Sequence, residues 1–526
     1  MMPIYGDDPD PPPPVYLLRN TLRKIRRFHK AGSLRQQIVI LLGWLFLLYA
    51  LFRAHQYLFP EPSPFLVCET PTHERSHHIT LPNVPNKETL SRTWKTLQAV
   101  YDAHPPQPLE LTLKSFKSLA DFPDLEDIKN HTYISTEDAQ ASRNSHVQVT
   151  KKLLPYPDGL FSGQGIVMLA GGRYTGFATT GLGMLREVGS KLPVEIWVKD
   201  HQEENEEWCK ELANEGIACR RLSDYMDTKL LEHGYQLKIS SIFFSSFEQI
   251  LFLDADNVPV RNPDGIFKSE AFTNTGVILW PDYWTHTGAP VLPYVVGLSD
   301  AASELLRSDQ TAESGQLMWD KKRHWKALCL ATYYNYYGPQ HYYTLISQGW
   351  AGWGDKDTFT IALRSLRQDF YMVPHELVTL FVNGSNSGIG MLQADPTKPA
   401  GYEPMFLHSN IIKWSIRGFF CSGCADDEKD PVALSAWENA ESPINPHLKE
   451  HRRIFSMEHM ESMKIDPEPL IWKSFEHVAC RSVWQRPGLC SRTREHMEQT
   501  FGYEFYGGGV SPIAGGGGDQ ICRRIG

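Results

Sequence analysis

Gln249-Ile250-Leu251-Phe252-Leu253-Asp254-Ala255-Asp256-Asn257-Val258-Pro259 is the stretch on which the fold turns. Its four consecutive apolar residues predict a strand buried on both faces, as in the interior of an α/β sheet. The strand delivers Asp254 and Asp256 to its C-terminal end, where open α/β sheets place their ligands. Side chains two apart share a face of an extended segment, so both carboxylates can reach one hard divalent cation and leave positions for a diphosphate. Asp-x-Asp alone also fits a solvated turn or a helix cap. The apolar run before it, Asn-Val-Pro after it and the run Gly276-Val277-Ile278-Leu279-Trp280 beyond favour the metal reading. A sharper rival is the Asp-x-Asp-x-Val pattern of haloacid-dehalogenase-like phosphatases, in which the first Asp is a nucleophile.

Upstream, Ile166 to Ala170 predicts a buried strand, Gly171-Gly172-Arg173-Tyr174-Thr175-Gly176 a loop, Phe177 to Val188 a helix and Val194 to Val198 the next strand. This βαβ opening implies a parallel sheet. Gly171 and Gly172 allow backbone N–H groups to approach a nucleotide or its phosphates at the helix start, and Arg173, Tyr174 and Thr175 line the same loop; a plain tight turn is the alternative. Glu203 to Asn214 and Lys238 to Phe247 read as helices, and Lys238 could reach a phosphate or lie along a helix edge. Downstream, Glu313-Ser314-Gly315-Gln316 and Gly354-Asp355-Lys356-Asp357 flank an aromatic-rich stretch in which Trp350 and Trp353 could offer platforms to sugar rings. Asp355 and Asp357 could bind acceptor hydroxyls or face an anomeric carbon, or cap the helix from Thr358 to Leu366.

The chain has 526 residues, 41% hydrophobic and 21% charged, with a net charge of -9. That length calls for more than one small core, and the charge gives no basic footprint for nucleic acid. Ile38 to Phe52 carries no charge; extended over 36–59, it can span a bilayer as a single helix. Arg19, Arg23, Lys24, Arg26, Arg27, Lys30 and Arg35 precede it, which predicts type II topology with residues 1–35 cytoplasmic and the bulk of the chain lumenal. A cleaved signal peptide and a buried core helix are the alternatives. Residues 60–107 read as a stem containing one helix from Lys87 to His104, 108–420 as the catalytic domain with its core at 165–414, and 421–526 as an extension ending in a glycine-rich tail.

A lumenal chain can form Cys209/Cys219 and Cys480/Cys490 bridges and carry glycans at Asn130 and Asn383; nine cysteines leave one unpaired within the chain. Cys421-x-x-Cys424 has no second pair at zinc-finger spacing and reads as a disulfide or a structural turn.

AGGRYTG, LPVEIWVKD, SSFEQILFLDADNVPV, TGVILWPDYW, ESGQLMWDK, GWGDKDTF and LHSNIIKW occur in this order between Gly165 and Trp414. As a set they resemble the fungal alpha-mannosyltransferases of glycosyltransferase family seventy-one. The resemblance implies a Rossmann-like GT-A domain, a GDP-mannose donor and a manganese ion (Mn2+) held by Asp254 and Asp256, with Ala255 between them at the donor. It implies a type II Golgi enzyme that builds alpha-1,2 or alpha-1,3 linkages with retention on mannan or N-glycan acceptors, in association with other Golgi mannosyltransferases. Beside it, His408 at the end of the run Phe406-Leu407 is the candidate third metal ligand, since imidazole suits manganese. Glu313, Asp355 and Asp357 complete the candidate catalytic set. A non-catalytic membrane-anchored lectin would keep the aromatics but has no need of paired acids at a strand end.

Overall fold

A computed structural model describes residues 67–69, 84, 86–111, 132–308, 310–349, 352–381, 383, 388–409, 451, 453–455, 460–461, 465–480, 489–503 and 521–523. The chain divides into two compact units, Met1–His77 with Ala514–Gly526, and His78–Ile513. In the first, Val67–Glu69 pairs antiparallel with Ile521–Arg523. The expected membrane span at 36–59, the sequon residue Asn130, Trp350 and the Cys421/Cys424 pair fall outside the described residues. Among the described residues no helix is long and apolar enough to cross a membrane.

The second unit is built on a seven-stranded mixed sheet. Its strands are β1 (Gln164–Leu169), β2 (Val194–Val198), β3 (Ile217–Arg221) and β4 (Gln249–Leu253), then β6 (Val277–Thr285), β7 (Gln310–Asp320) and β8 (Tyr371–Met372). The order is β8-β6-β7-β4-β1-β2-β3, with β1 to β4 parallel and β7 antiparallel to both of its neighbours. A second, antiparallel sheet joins β9 (Val378–Phe381), β10 (Gly388–Ala394), β11 (Pro404–His408) and the short β5 (Asn257–Pro259).

Alternation along the central strands explains why both sheet faces are covered. Ile166, Met168, Leu251, Leu253, Ile278 and Met318 point into one core, and Val167, Ile250, Phe252, Val277, Leu317 and Trp319 into the other. The first core is roofed by α3 (Thr175–Glu187) and by α8 (Glu468–Cys480). The second is roofed by α5 (Tyr235–Phe244), α6 (Lys321–Tyr336) and α7 (Thr358–Ser365). Each fully buried Leu, Ile or Phe contributes roughly 1.5–3 kcal/mol, so the four apolar residues of β4 anchor the sheet.

Two segments outside the 165–414 core belong to this packing. α1 (Lys87–Asp102), expected within the stem, buries Leu90, Trp94, Leu97 and Tyr101 in the second core, with Trp94 edge-on to Phe243 and Phe244. α8 runs so close to α3 that a Cβ on Gly183 would lie 2.6 Å from Ser474 Oγ. Between them, α2 (Thr136–Lys151) and α4 (Glu206–Ala213) lie on the surface with single buried stripes. The α4 stripe is stapled to β3 by the Cys209–Cys219 disulfide, and Cys480–Cys490 links α8 to α9 (Leu489–Phe501). Cys329, buried in α6, is a free thiol.

Candidate metal and acid centre

The strand pairing itself assembles the site. At the end of β4 the chain turns through Asp254, Ala255 and Asp256, with Asn257 N–H donating to the Asp254 carbonyl at 3.0 Å. It then leaves the main sheet as β5, which pairs with β11 so that Asn257 faces His408. Ser409 N–H donates to the Asp256 carbonyl at 3.0 Å and fixes His408 beside the acid pair. On the other side β7 lies against β4, and the Asp254 N–H donates to the Gly315 carbonyl at 2.8 Å. Between Glu313 and Met318 the β7/β6 register shifts, which bends Glu313, Ser314 and Gly315 toward the site.

Asp254, Asp256 and His408 each offer a ligand atom, all within 4.8 Å of one another. Two carboxylates and an imidazole at that spacing fit a divalent cation, and Ca2+ or Mg2+ alone would favour oxygen donors, so the imidazole points to manganese or a similar transition ion. His408 Nε2 lies 3.3 Å from Asp256 Oδ1, and its Nδ1 lies 3.0 Å from Glu313 Oε1. An acid behind a ligating histidine fixes which ring nitrogen faces the ion. Gly315 makes room for this contact, since a Cβ there would lie 2.5 Å from His408 Nδ1 and 2.7 Å from Glu313 Oε1.

The electrostatics show a cluster held together by protons and one lysine. Burial pushes the Asp254 carboxyl up, the charge of Asp256 adds to this and Lys238 opposes it, leaving it at about 6. Burial would lower His408, but Glu313 and Asp256 more than offset it and hold the imidazole up at about 10. Glu313 is held below its ordinary range: burial opposes ionisation, and His408 and the Gly315 N–H outweigh it. Glu313 Oε2 is buried with no hydrogen-bond partner.

Lys238, for which a phosphate contact and a place along a helix edge were the two readings, is buried and donates to Asp254 Oδ2 at 2.9 Å, to the Ser314 carbonyl at 2.7 Å and to Ser314 Oγ at 2.9 Å. It also lies 3.4 Å from Asp355 Oδ2, so it bridges the metal-side and loop-side acids. Asp355 is buried one residue beyond Gly354. Asp357 is drawn elsewhere: Oδ1 accepts the Ala312 N–H at 3.0 Å and Oδ2 lies 3.3 Å from Lys356 Nζ. Lys356 in turn lies 3.2 Å from Asp282. Asp357 occupies the N-cap position of α7 but gives that helix no side-chain cap.

The glycine loop sits at the same sheet edge. Met168 pairs with Leu253, so the chain leaves β1 and β4 side by side. Gly171 has φ 110° and a Cβ there would lie 2.8 Å from Glu203 Oε2, while Gly172 has φ 51° and is exposed. Tyr174 is exposed and Thr175, buried, opens α3, whose N-terminus lacks a side-chain cap. The expected approach of free loop N–H groups to a phosphate is not what the turn shows: Gly172 N–H donates to the Glu203 carbonyl at 3.4 Å, Tyr174 N–H to the Gly171 carbonyl at 3.0 Å and Thr175 N–H to the Gly172 carbonyl, because the loop winds as a 3-10 turn into α3. α3 covers Ala255, with the Ala255 carbonyl 3.7 Å from where a Gly181 Cβ would be. Ser314, Lys356 and Asp282 lie inside stretches singled out in the sequence, and Glu203 opens an expected helix, but nothing local to them signals a role at the site; only the glycine inside Glu313-Ser314-Gly315-Gln316 hints at a close approach.

Fold and site define a mixed α/β domain with three residues at its strand ends, Asp254, Asp256 and His408, that could hold a cation. Residues 163–304 and 298–387 match the model of a family described as "Mannosyltransferase putative". It is 34% identical over 320 residues to Alpha-1,2-mannosyltransferase MNN21 of Candida albicans, covering 51% of this chain and 48% of that protein. To Alpha-1,2-mannosyltransferase MNN5 of Saccharomyces cerevisiae it is 36% identical over 270 residues, 42% of this chain and 46% of that protein. The chain thus spans about half the length of the curated relatives it matches. Among solved structures, the mannosyltransferase Ktr4p of S. cerevisiae aligns at a TM-score of 0.27 and 10% identity, over 51% of this chain and 81% of that one.

Proposed function

We propose that this chain is a retaining alpha-mannosyltransferase of the GT-A class that transfers mannose from GDP-mannose to mannose residues of mannan or N-glycan outer chains, forming alpha-1,2 linkages. The observation that carries the reading is the convergence of Asp254, Asp256 and His408 at the end of β4. The names of the relatives support the sugar and the linkage. Bound there, a divalent ion would neutralise charge developing on the departing diphosphate. Asp254 and Asp256 would hold it, His408 would complete the set with Glu313 fixing its tautomer, and Lys238 would keep Asp254 and Asp355 in register.

Residence as a single-pass type II Golgi protein with a lumenal catalytic part, in association with other mannosyltransferases, belongs to the same proposal. The uncharged run at 38–52 with its basic flank and the two disulfides support the topology.

The purified protein with GDP-mannose, Mn2+ and α-mannobiose should yield a trisaccharide whose new bond is alpha-1,2 by linkage analysis. No product, or a phosphate trapped on Asp254 from a phosphate ester, would overturn the reading.

A further inference from the structure

Beside the acid centre stands an aromatic group that the transfer step, as described, does not use. Tyr235 is the first residue of α5 and is 47% exposed. Three residues on, the same helix carries Lys238, which bridges Asp254 and Asp355. Trp353 lies edge-on to the Tyr235 ring at 6.0 Å, Tyr343 edge-on at 6.3 Å, and His233 stacks parallel to it at 6.4 Å. The loop before Asp355 is pressed onto the ring, because a Cβ on Gly354 would lie 3.2 Å from it. Below, the segment is pinned: His233 N–H donates to Gln236 Oε1 at 2.9 Å, and Gln236 Nε2 donates to the Asn335 carbonyl at 2.9 Å. An exposed ring is thus held rigidly, one helical turn from the lysine that bridges Asp254 and Asp355.

We propose that Tyr235, braced by Trp353 and His233, is the platform on which the ring of the acceptor mannoside stacks. Pyranose rings present a face of C–H groups that packs on an aromatic face. The rigid brace means that little freedom is lost when the sugar docks. This subsite deepens the transferase reading and rests on it for the identity of the sugar.

Titration of the full chain with α-mannobiose, followed by saturation-transfer NMR, tests the platform without any need for turnover. Tyr235→Ala should weaken binding by about threefold to tenfold, the range set by one aromatic stacking contact. Tyr235→Phe, which keeps the face, should bind within about twofold of wild type by the same reasoning. Hydrolysis of GDP-mannose in the absence of acceptor should be the same in all three proteins. Unchanged binding by Tyr235→Ala, a loss as large in Tyr235→Phe, a fall in donor hydrolysis, or no mannobiose binding by wild type would each overturn the proposal. If mannobiose binds through Tyr235 but GDP-mannose is never turned over, the platform stands and the transferase reading falls.

Discussion

Two Asp-x-Asp pairs among the described residues, 254/256 and 355/357, do different things. Asp254 and Asp256 leave a central strand at a sheet edge, and a second sheet brings His408 to them. Both members of that pair face one point. Asp355 and Asp357 precede a helix and part company: Asp355 turns to Lys238 and the acid centre, and Asp357 to the backbone of β7 and to Lys356. Spacing gives two carboxylates the chance to share a face; their neighbours decide whether they share a task.

The comparison can be broken at its strongest point first. Asp254→Asn and Asp256→Asn should each lower transfer by about a hundredfold or more, the scale of losing metal-assisted charge stabilisation. Circular dichroism should show the native fold in both. Next, Glu313→Gln should weaken Mn2+ binding by about tenfold to a hundredfold, as loss of a group behind a ligating histidine does. Isothermal titration with Mn2+ alone reads that out.

A third expectation concerns pH. Asp254 and His408 both have their pKa raised by the fold, to about 6 and about 10. In the metal-free protein their contribution to stability is present at low pH; that of Asp254 is lost as pH rises through about 6 and that of His408 as it rises through about 10. A cation that replaces these protons acts in the opposite sense. The thermal shift on adding Mn2+ should therefore grow from pH 5 to pH 8, by scanning fluorimetry; a shift that shrinks over that range would contradict the site.

Asp357→Ala tests the other pair. It strands the buried Ala312 N–H and one partner of Lys356, so it should cost roughly 1–3 kcal/mol of stability. Its mark should be on the denaturation midpoint, with Mn2+ affinity unchanged. Smallest of all, ending the chain at Phe505 should leave transfer at the native rate, and loss of activity in folded protein would refute this.

Which parts were legible follows from the range of the forces involved. The buried strands at 166–170, 194–198 and 249–253 declare themselves because a doubly covered strand needs an unbroken apolar run. Helix ends drift by a few residues: the helix expected at 238–247 runs over Tyr235–Phe244, which is how Tyr235 joins the same turn system as Lys238. The helix at Lys87–Asp102 was visible through Leu90, Trp94, Leu97 and Tyr101, but an apolar stripe does not say what it packs against, and it packs in the core.

The sequence by itself determined the central strand, the acid pair at its end and the glycine loop, because each depends on residues adjacent along the chain. Tertiary structure alone decided that Glu313 stands behind His408, 95 residues away, that Lys238 ties Asp254 to Asp355, and that Asp357 serves the scaffold. Charges and hydrogen bonds act over a few ångströms of space, and only the packed sheets bring these distant residues within that distance.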